Sequence, residues 1–79
     1  MLGSPRGEVI DVRMVPVASS NLAEVGYEGG NLYVRFRSGG LYVYSGVPPA
    51  THAALMGTAS KGSYLHRFVK PFHPCRRVG

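Results

Sequence analysis

The stretch Leu32-Tyr33-Val34-Arg35-Phe36-Arg37-Ser38-Gly39-Gly40-Leu41-Tyr42-Val43-Tyr44 alternates its side chains on either side of a glycine pair. A period of two is the pattern of a half-buried strand. Ser38-Gly39-Gly40 is hairpin chemistry, because glycine adopts the positive φ that tight turns need. Two antiparallel strands are therefore predicted, Leu32 to Arg37 and Leu41 to Tyr44. A two-residue turn pairs odd with even positions. Leu32, Val34 and Phe36 then share a face with Leu41 and Val43, and Tyr33, Arg35, Arg37, Tyr42 and Tyr44 collect on the other. A three-residue loop with a bulge breaks that parity.

Upstream, Leu22 to Tyr27 reads as a further strand, with Ala23, Val25 and Tyr27 on one side, joined to Leu32 by the tight connection Glu28-Gly29-Gly30-Asn31. Ser19-Ser20-Asn21 is turn chemistry. Val9 to Val17 suits an edge strand, since Pro16 cannot donate to a central ladder. Downstream, Pro48-Pro49 ends the sheet. Pro49 suits the first turn of a helix running to about Met56, with Gly57 as its cap. Ser60 stands as N-cap of a second helix over Lys61 to Val69, closed by Pro71. Its expected buried stripe is Tyr64, Leu65, Phe68 and Val69, with Lys61, Ser63, His66, Arg67 and Lys70 outward. The fold class is α+β: a small antiparallel β-meander of three to four strands, followed by two short helices packed on one face. Residues 1–13, opening with MLGSPRG, read as a leader or extension, and residues 14–79 as a single domain.

Seventy-nine residues, 44% of them hydrophobic and 16% charged, make one small folded domain. A chain of this size buries only about 60% of its extended surface, so leftover apolar surface leaves both a monomer and a homodimer open. Cys75 is the only cysteine, which excludes an internal disulfide and fits a reducing, cytoplasmic setting. No stretch is long and apolar enough to span a membrane, and the N-terminus lacks a signal-peptide pattern.

From Met14 to Val78 the chain resembles the KTSC domain family, named for its occurrence at the C-terminus of some lysyl-tRNA synthetases and found also in free-standing bacterial and phage proteins. The resemblance rests on Val17 to Asn21 (VASSN), Val25-Gly26-Tyr27, Val34 to Gly40 (VRFRSGG), Tyr42 to Pro48 (YVYSGVP) and Ser60 to Phe68 (SKGSYLHRF). Within these, Tyr42-Val43-Tyr44 matches the family's central Tyr-x-Tyr and Ser60-Lys61-Gly62 its helical start. The resemblance implies the α+β fold, with RNA binding as the usual suggestion for function.

Charge points the same way. Residues 1–28 hold two bases against four acids, net −2, and residues 29–79 hold seven bases and no acid, net +7. Such a field selects polyanions or anionic ligands. The face of Tyr33, Arg35, Arg37, Tyr42 and Tyr44 has the composition of a single-strand platform, where rings stack on bases and cations follow phosphates. It also has the composition of a protein interface or a plain sheet surface. Ser60, Lys61, Gly62 and Ser63 offer free N–H groups, a cation and close backbone approach to a phosphate, or simply a helix cap. Arg67, Lys70, His73, Arg76 and Arg77 extend the basic field along the helix and into the tail.

No catalytic residues and no cofactor are expected. His66, His73 and Cys75 lack paired metal-ligand spacing, and Cys75 near His73 lacks a third orienting group. The glycine pairs are turns rather than a nucleotide loop. The leading expectation is a non-catalytic module for nucleic acid, RNA or single-stranded DNA, of low sequence specificity. Its binding residues would be Tyr33, Arg35, Arg37, Tyr42, Tyr44, Ser60, Lys61, Gly62, Ser63, Arg67 and Lys70. Two rivals stand beside it: a protein-interaction module docking on a host enzyme, and a small oligomer holding an anionic, nucleotide-like ligand.

Overall fold

The computed structural model describes residues 12–79. Five strands, β1 (Val15–Pro16), β2 (Leu22–Glu28), β3 (Asn31–Phe36), β4 (Leu41–Tyr44) and β5 (Cys75–Arg77), form one antiparallel sheet in the order β1-β2-β3-β4-β5. Between β4 and β5 the chain makes α1 (Pro49–Gly57) and α2 (Lys61–Tyr64), and α2 runs on into a π-helical turn, Leu65–Val69. The fold is α+β, as the alternation and the proline and cap signals imply. The fifth strand is an addition: the segment read as a basic tail pairs with β4, Cys75 opposite Tyr44 and Arg77 opposite Tyr42.

The hairpin register decides which side chains face the helices. Leu32 pairs with Tyr44, Val34 with Tyr42 and Arg35 with Leu41. The loop is the three-residue Arg37-Ser38-Gly39: the Phe36 N–H donates to the Gly40 carbonyl at 3.1 Å, and the Gly39 N–H donates to the Phe36 carbonyl at 3.0 Å. Gly39 and Gly40 hold φ of 107° and 95°, a region side chains with a β-carbon avoid. The extra residue reverses parity in β4. The expected common face of five side chains is thereby corrected. Tyr42 and Tyr44 lie with Leu32, Val34 and Phe36 toward the helices, while Tyr33 and Arg35 share the far face with Leu41 and Val43. A bulge between Leu22 and Glu24 does the same in β2, so Leu22 rather than Ala23 joins Val25 in the core.

The core is one cluster of Leu22, Val25, Leu32, Val34 and Tyr44 from the sheet, closed by Val47, Leu55, Leu65 and Val69. Pro49 opens α1, and Leu55 is its one buried residue. Gly57 is the last helical residue, and Thr58 caps the helix with its N–H on the Leu55 carbonyl. On the flank, the rings of His52 and Tyr27 stack 4.4 Å apart and 6° from parallel, and the Tyr27 hydroxyl donates to the Val47 carbonyl. The second helix spans the expected residues, but the Lys70 N–H reaches back five residues to Leu65. A π turn rotates less per residue than an α turn. Leu65 and Val69 therefore both point inward, and Phe68, expected in the buried stripe, is turned out and 52% exposed.

Of the expected leader, residues 1–11 lie outside the described residues. Val12 to Met14 lie against Gly26, where a β-carbon would come within 2.6 Å of Met14 Sδ and 2.9 Å of the Arg13 carbonyl. The expected boundary after Arg13 thus falls inside a packed segment. Of the expected strand Val9 to Val17, the described part contributes Val15–Pro16 at the sheet edge.

Candidate functional site

The turn before β2, the β3–β4 loop and α2 with its π turn face one another across a gap. A cleft of about 570 Å³ opens there. Asn21, Arg37 and Ser38 wall it on the sheet side, and Ser63, His66 and Lys70 on the helix side. Phe36 and Tyr44 form its base. The spacing of Ser63, His66 and Lys70, three and then four residues, puts them on one helical flank. A second cleft of about 280 Å³ continues past Lys70 to Tyr42, Gly39 and Cys75. The two clefts share Phe36, Ser38, Tyr44 and Lys70.

The walls are held from behind. Arg37 donates from Nε to the Ser19 carbonyl at 2.7 Å, which ties the hairpin loop to the turn before β2. Ser19 Oγ accepts from the N–H groups of Asn21 and Leu22, each at 3.2 Å, and so shapes that turn. The rings of Phe36 and Tyr42 meet edge to face, 5.5 Å apart at 81°. Arg77 lies against Gly40 beside Tyr42, its Nε donating to the Gly79 carbonyl at 2.9 Å. Tyr44 is 3% exposed, and its phenol is pushed up to about 12. Burial is the main cause, and negative charge on Cys75 or Tyr42 and the hydrogen bond with Cys75 add to it.

Among the described residues no carboxylate lines either cleft. Of the two acids in the described residues, Glu24 sits on the far face in an ion pair with Arg35 at 3.0 Å, and Glu28 sits at the β2–β3 turn, the other end of β3. Among the described residues no cluster of His, Cys, Asp and Glu could hold a metal ion, and no helix is long and apolar enough to cross a membrane.

Residues 18–72 match the model of the KTSC domain. The chain belongs to the KTSC domain family. An uncharacterized protein of Stutzerimonas stutzeri is 38% identical over 64 residues, which cover 78% of this chain and 90% of the relative. A protein of Tsukamurella paurometabola is 37% identical over 60 residues, covering 73% and 90%. The crystal structure of a KTSC domain protein from Yersinia pestis superposes with a TM-score of 0.81 at 34% identity, covering 86% of this chain and 99% of that one.

In this KTSC domain the expected binding residues divide among four places. Arg37, Tyr42, Tyr44, Gly62, Ser63 and Lys70 line the two joined clefts. Tyr33 and Arg35 lie on the far face, and Arg67 is exposed on the helix outside both clefts. Ser60 and Lys61 border a further hollow of about 280 Å³ beside Ser19 and Ala59, which adjoins the larger cleft through Ser20, Asn21, Gly62 and Ser63. Ser60 makes no side-chain cap bond, and Lys61 Nζ donates to the Thr58 carbonyl at 2.7 Å. Gly62 is explained by a neighbour: a β-carbon there would meet Asn21 Nδ2 at 2.8 Å. Its place in the KTSC motif thus follows from close packing of α2 on the turn before β2. The sequence reading missed Asn21, Phe36, Ser38, His66 and Cys75 as walls. The helical spacing of His66 from Ser63 and Lys70 was a usable signal; Phe36 and Cys75 reach the cleft only through the hairpin parity and β5.

Proposed function

We propose that this KTSC domain is a non-catalytic module for single-stranded nucleic acid, and that it binds through the joined clefts rather than through the far face of the sheet. One observation carries the reading: an open cleft lined by Phe36 and Tyr44 and by the bases Arg37, His66 and Lys70, with no carboxylate among the described residues that line it. Phosphates are attracted by Arg37, Lys70 and the adjacent Arg77, and Phe36 and Tyr42 offer ring surface to bases. Hydroxyl and amide groups of Ser38, Ser63 and Asn21 suit a ribose 2′-OH, which favours RNA. The buried Tyr44 serves as wall and not as a stacking ring.

Fluorescence anisotropy with single-stranded RNA, single-stranded DNA and duplex at about 50 and 200 mM salt tests this reading. Binding that prefers single strands, weakens steeply with salt and is lost in Lys70→Glu is expected. Binding that is unaffected by Lys70→Glu, or absent at low salt, overturns it.

A second reading has its own observation. Phe68 and Phe72 are 52% and 69% exposed, with the Phe68 ring 4.9 Å from that of Tyr64. An exposed aromatic strip of this kind favours the protein-interaction module. Association of that kind would persist at high salt and be lost in Phe68→Ala.

A further inference from the structure

We infer that the joined clefts take a two-nucleotide step of a single strand, with the phosphodiester between the two nucleosides held by Lys70. The inference rests on the nucleic-acid reading above and assigns its unit of recognition. The two chambers are unequal, about 570 and 280 Å³, and of different character. The larger adds Asn21, Ser63 and His66, a polar wall with donors and acceptors for a base edge or ribose hydroxyl. The smaller adds Tyr42, whose ring is fixed edge-on to Phe36, a surface for a base plane. Between them stand only four shared residues, Phe36, Ser38, Tyr44 and Lys70.

Of those four, Lys70 alone carries a charge. Phe36 is apolar, Ser38 is neutral, and Tyr44 holds its proton with a phenol pushed up to about 12. A cation common to two chambers matches a ligand with an anion between two ring-bearing halves, as in a dinucleoside monophosphate. Arg37 on the wall of the larger chamber offers a second cation to a phosphate beyond it. Lys70 is exposed, and among the described residues the one ion pair is that of Arg35 with Glu24, so no carboxylate of those residues pairs with the Lys70 ammonium. Arg37 lines the larger chamber next to the shared Phe36 and Ser38, and Arg77 lies opposite Tyr42 beside the smaller one.

Amide-shift NMR titration of the full chain with uridine, uridine monophosphate, the dinucleotide UpU and a twelve-residue oligouridine tests the unit size. The same series in deoxythymidine separates RNA from DNA. Uridine monophosphate carries more charge than UpU, so attraction by charge alone ranks the monophosphate first. A two-chamber site ranks UpU first, by about tenfold, the weight of one added stacked base. Beyond the dinucleotide, each further nucleotide should add less than about threefold. Lys70→Gln, an exposed substitution, should weaken uridine monophosphate and UpU alike, and Tyr42→Ala should bring UpU down to the level of the monophosphate. If the twelve-residue strand binds but UpU is no better than the monophosphate, or Tyr42→Ala keeps their ratio, or Lys70→Gln leaves UpU unchanged, the two-nucleotide unit is wrong while the nucleic-acid reading stands. Failure of the twelve-residue strand to bind sinks both.

Discussion

Tyr44 carries a hydroxyl on a ring that the core has all but enclosed, and its phenol, pushed up to about 12, keeps its proton well beyond the usual range near 10. The consequence for stability has a definite sign. Below pH 10 both folded and unfolded chains hold the Tyr44 proton, and the group is neutral in the balance. Between pH 10 and about 12 the unfolded chain gives it up and the folded chain does not, so stability falls as pH rises through that window. The loss attributable to this one group is at most roughly 3 kcal/mol over the two units. Urea unfolding at pH 9.5 and 11.5 should show a drop that is markedly smaller in Tyr44→Phe, which keeps the ring and removes the proton. Equal drops in the two proteins would mean that another group governs the alkaline limit. Burial of Tyr44 was not legible from its neighbours in sequence, since Tyr-x-Tyr looks alike on either face of a strand. Gly26 and Gly62 were equally opaque: the atoms that exclude a β-carbon there, Met14 Sδ and Asn21 Nδ2, come from distant residues.

At the scale of elements, the hairpin loop controls which side chains of the Tyr-x-Tyr strand meet the cleft. The alternation and the glycine pair made the hairpin itself readable. Loop length was not, because Ser38-Gly39-Gly40 satisfies both a two-residue turn and a three-residue loop with a bulge, and the two differ by one residue and therefore by a face. Gly39 and Gly40 both need positive φ, but only Gly40 is also crowded: a β-carbon there would stand 3.1 Å from Tyr42 Cε1 and 3.5 Å from the Arg77 guanidinium carbon. Gly39→Ala should therefore cost about 1–2 kcal/mol from backbone strain alone. Gly40→Ala should cost about 1 kcal/mol more and also disturb the Tyr42 ring. Paired thermal melts, with the Tyr42 aromatic resonances as a local probe, check the order. An equal cost at the two glycines would remove the contact with Tyr42 and Arg77 from the account. The second helix teaches a parallel lesson. Its span was legible from Ser60 and Pro71, while the π turn that expels Phe68 has no local signature in Leu65-His66-Arg67-Phe68-Val69.

Across the described residues the lopsided charge visible in the sequence survives folding as a separation in space. Glu24 is neutralised on the far face by Arg35, Glu28 is carried to the other end of β3, and the cleft end keeps Arg37, Lys70 and Arg77. If a single strand is held in the cleft, three phosphates at most lie beside these three cations. The logarithm of the binding constant should then fall against the logarithm of salt with a slope near −2, since each neutralised phosphate on a single strand contributes roughly −0.7. Lys70→Gln should flatten that slope by about 0.7, and Arg37→Gln should do the same. Arg35→Gln is the informative control. It removes a positive charge of equal size, but one already paired with Glu24 on the wrong face, and should leave the slope unchanged while costing less than about 1 kcal/mol of stability. Salt titrations of the four proteins against one oligonucleotide decide between a localised site and a diffuse field. A diffuse positive surface would lose the same increment at Arg35 as at Lys70, and the assignment of the cleft would fall with that result.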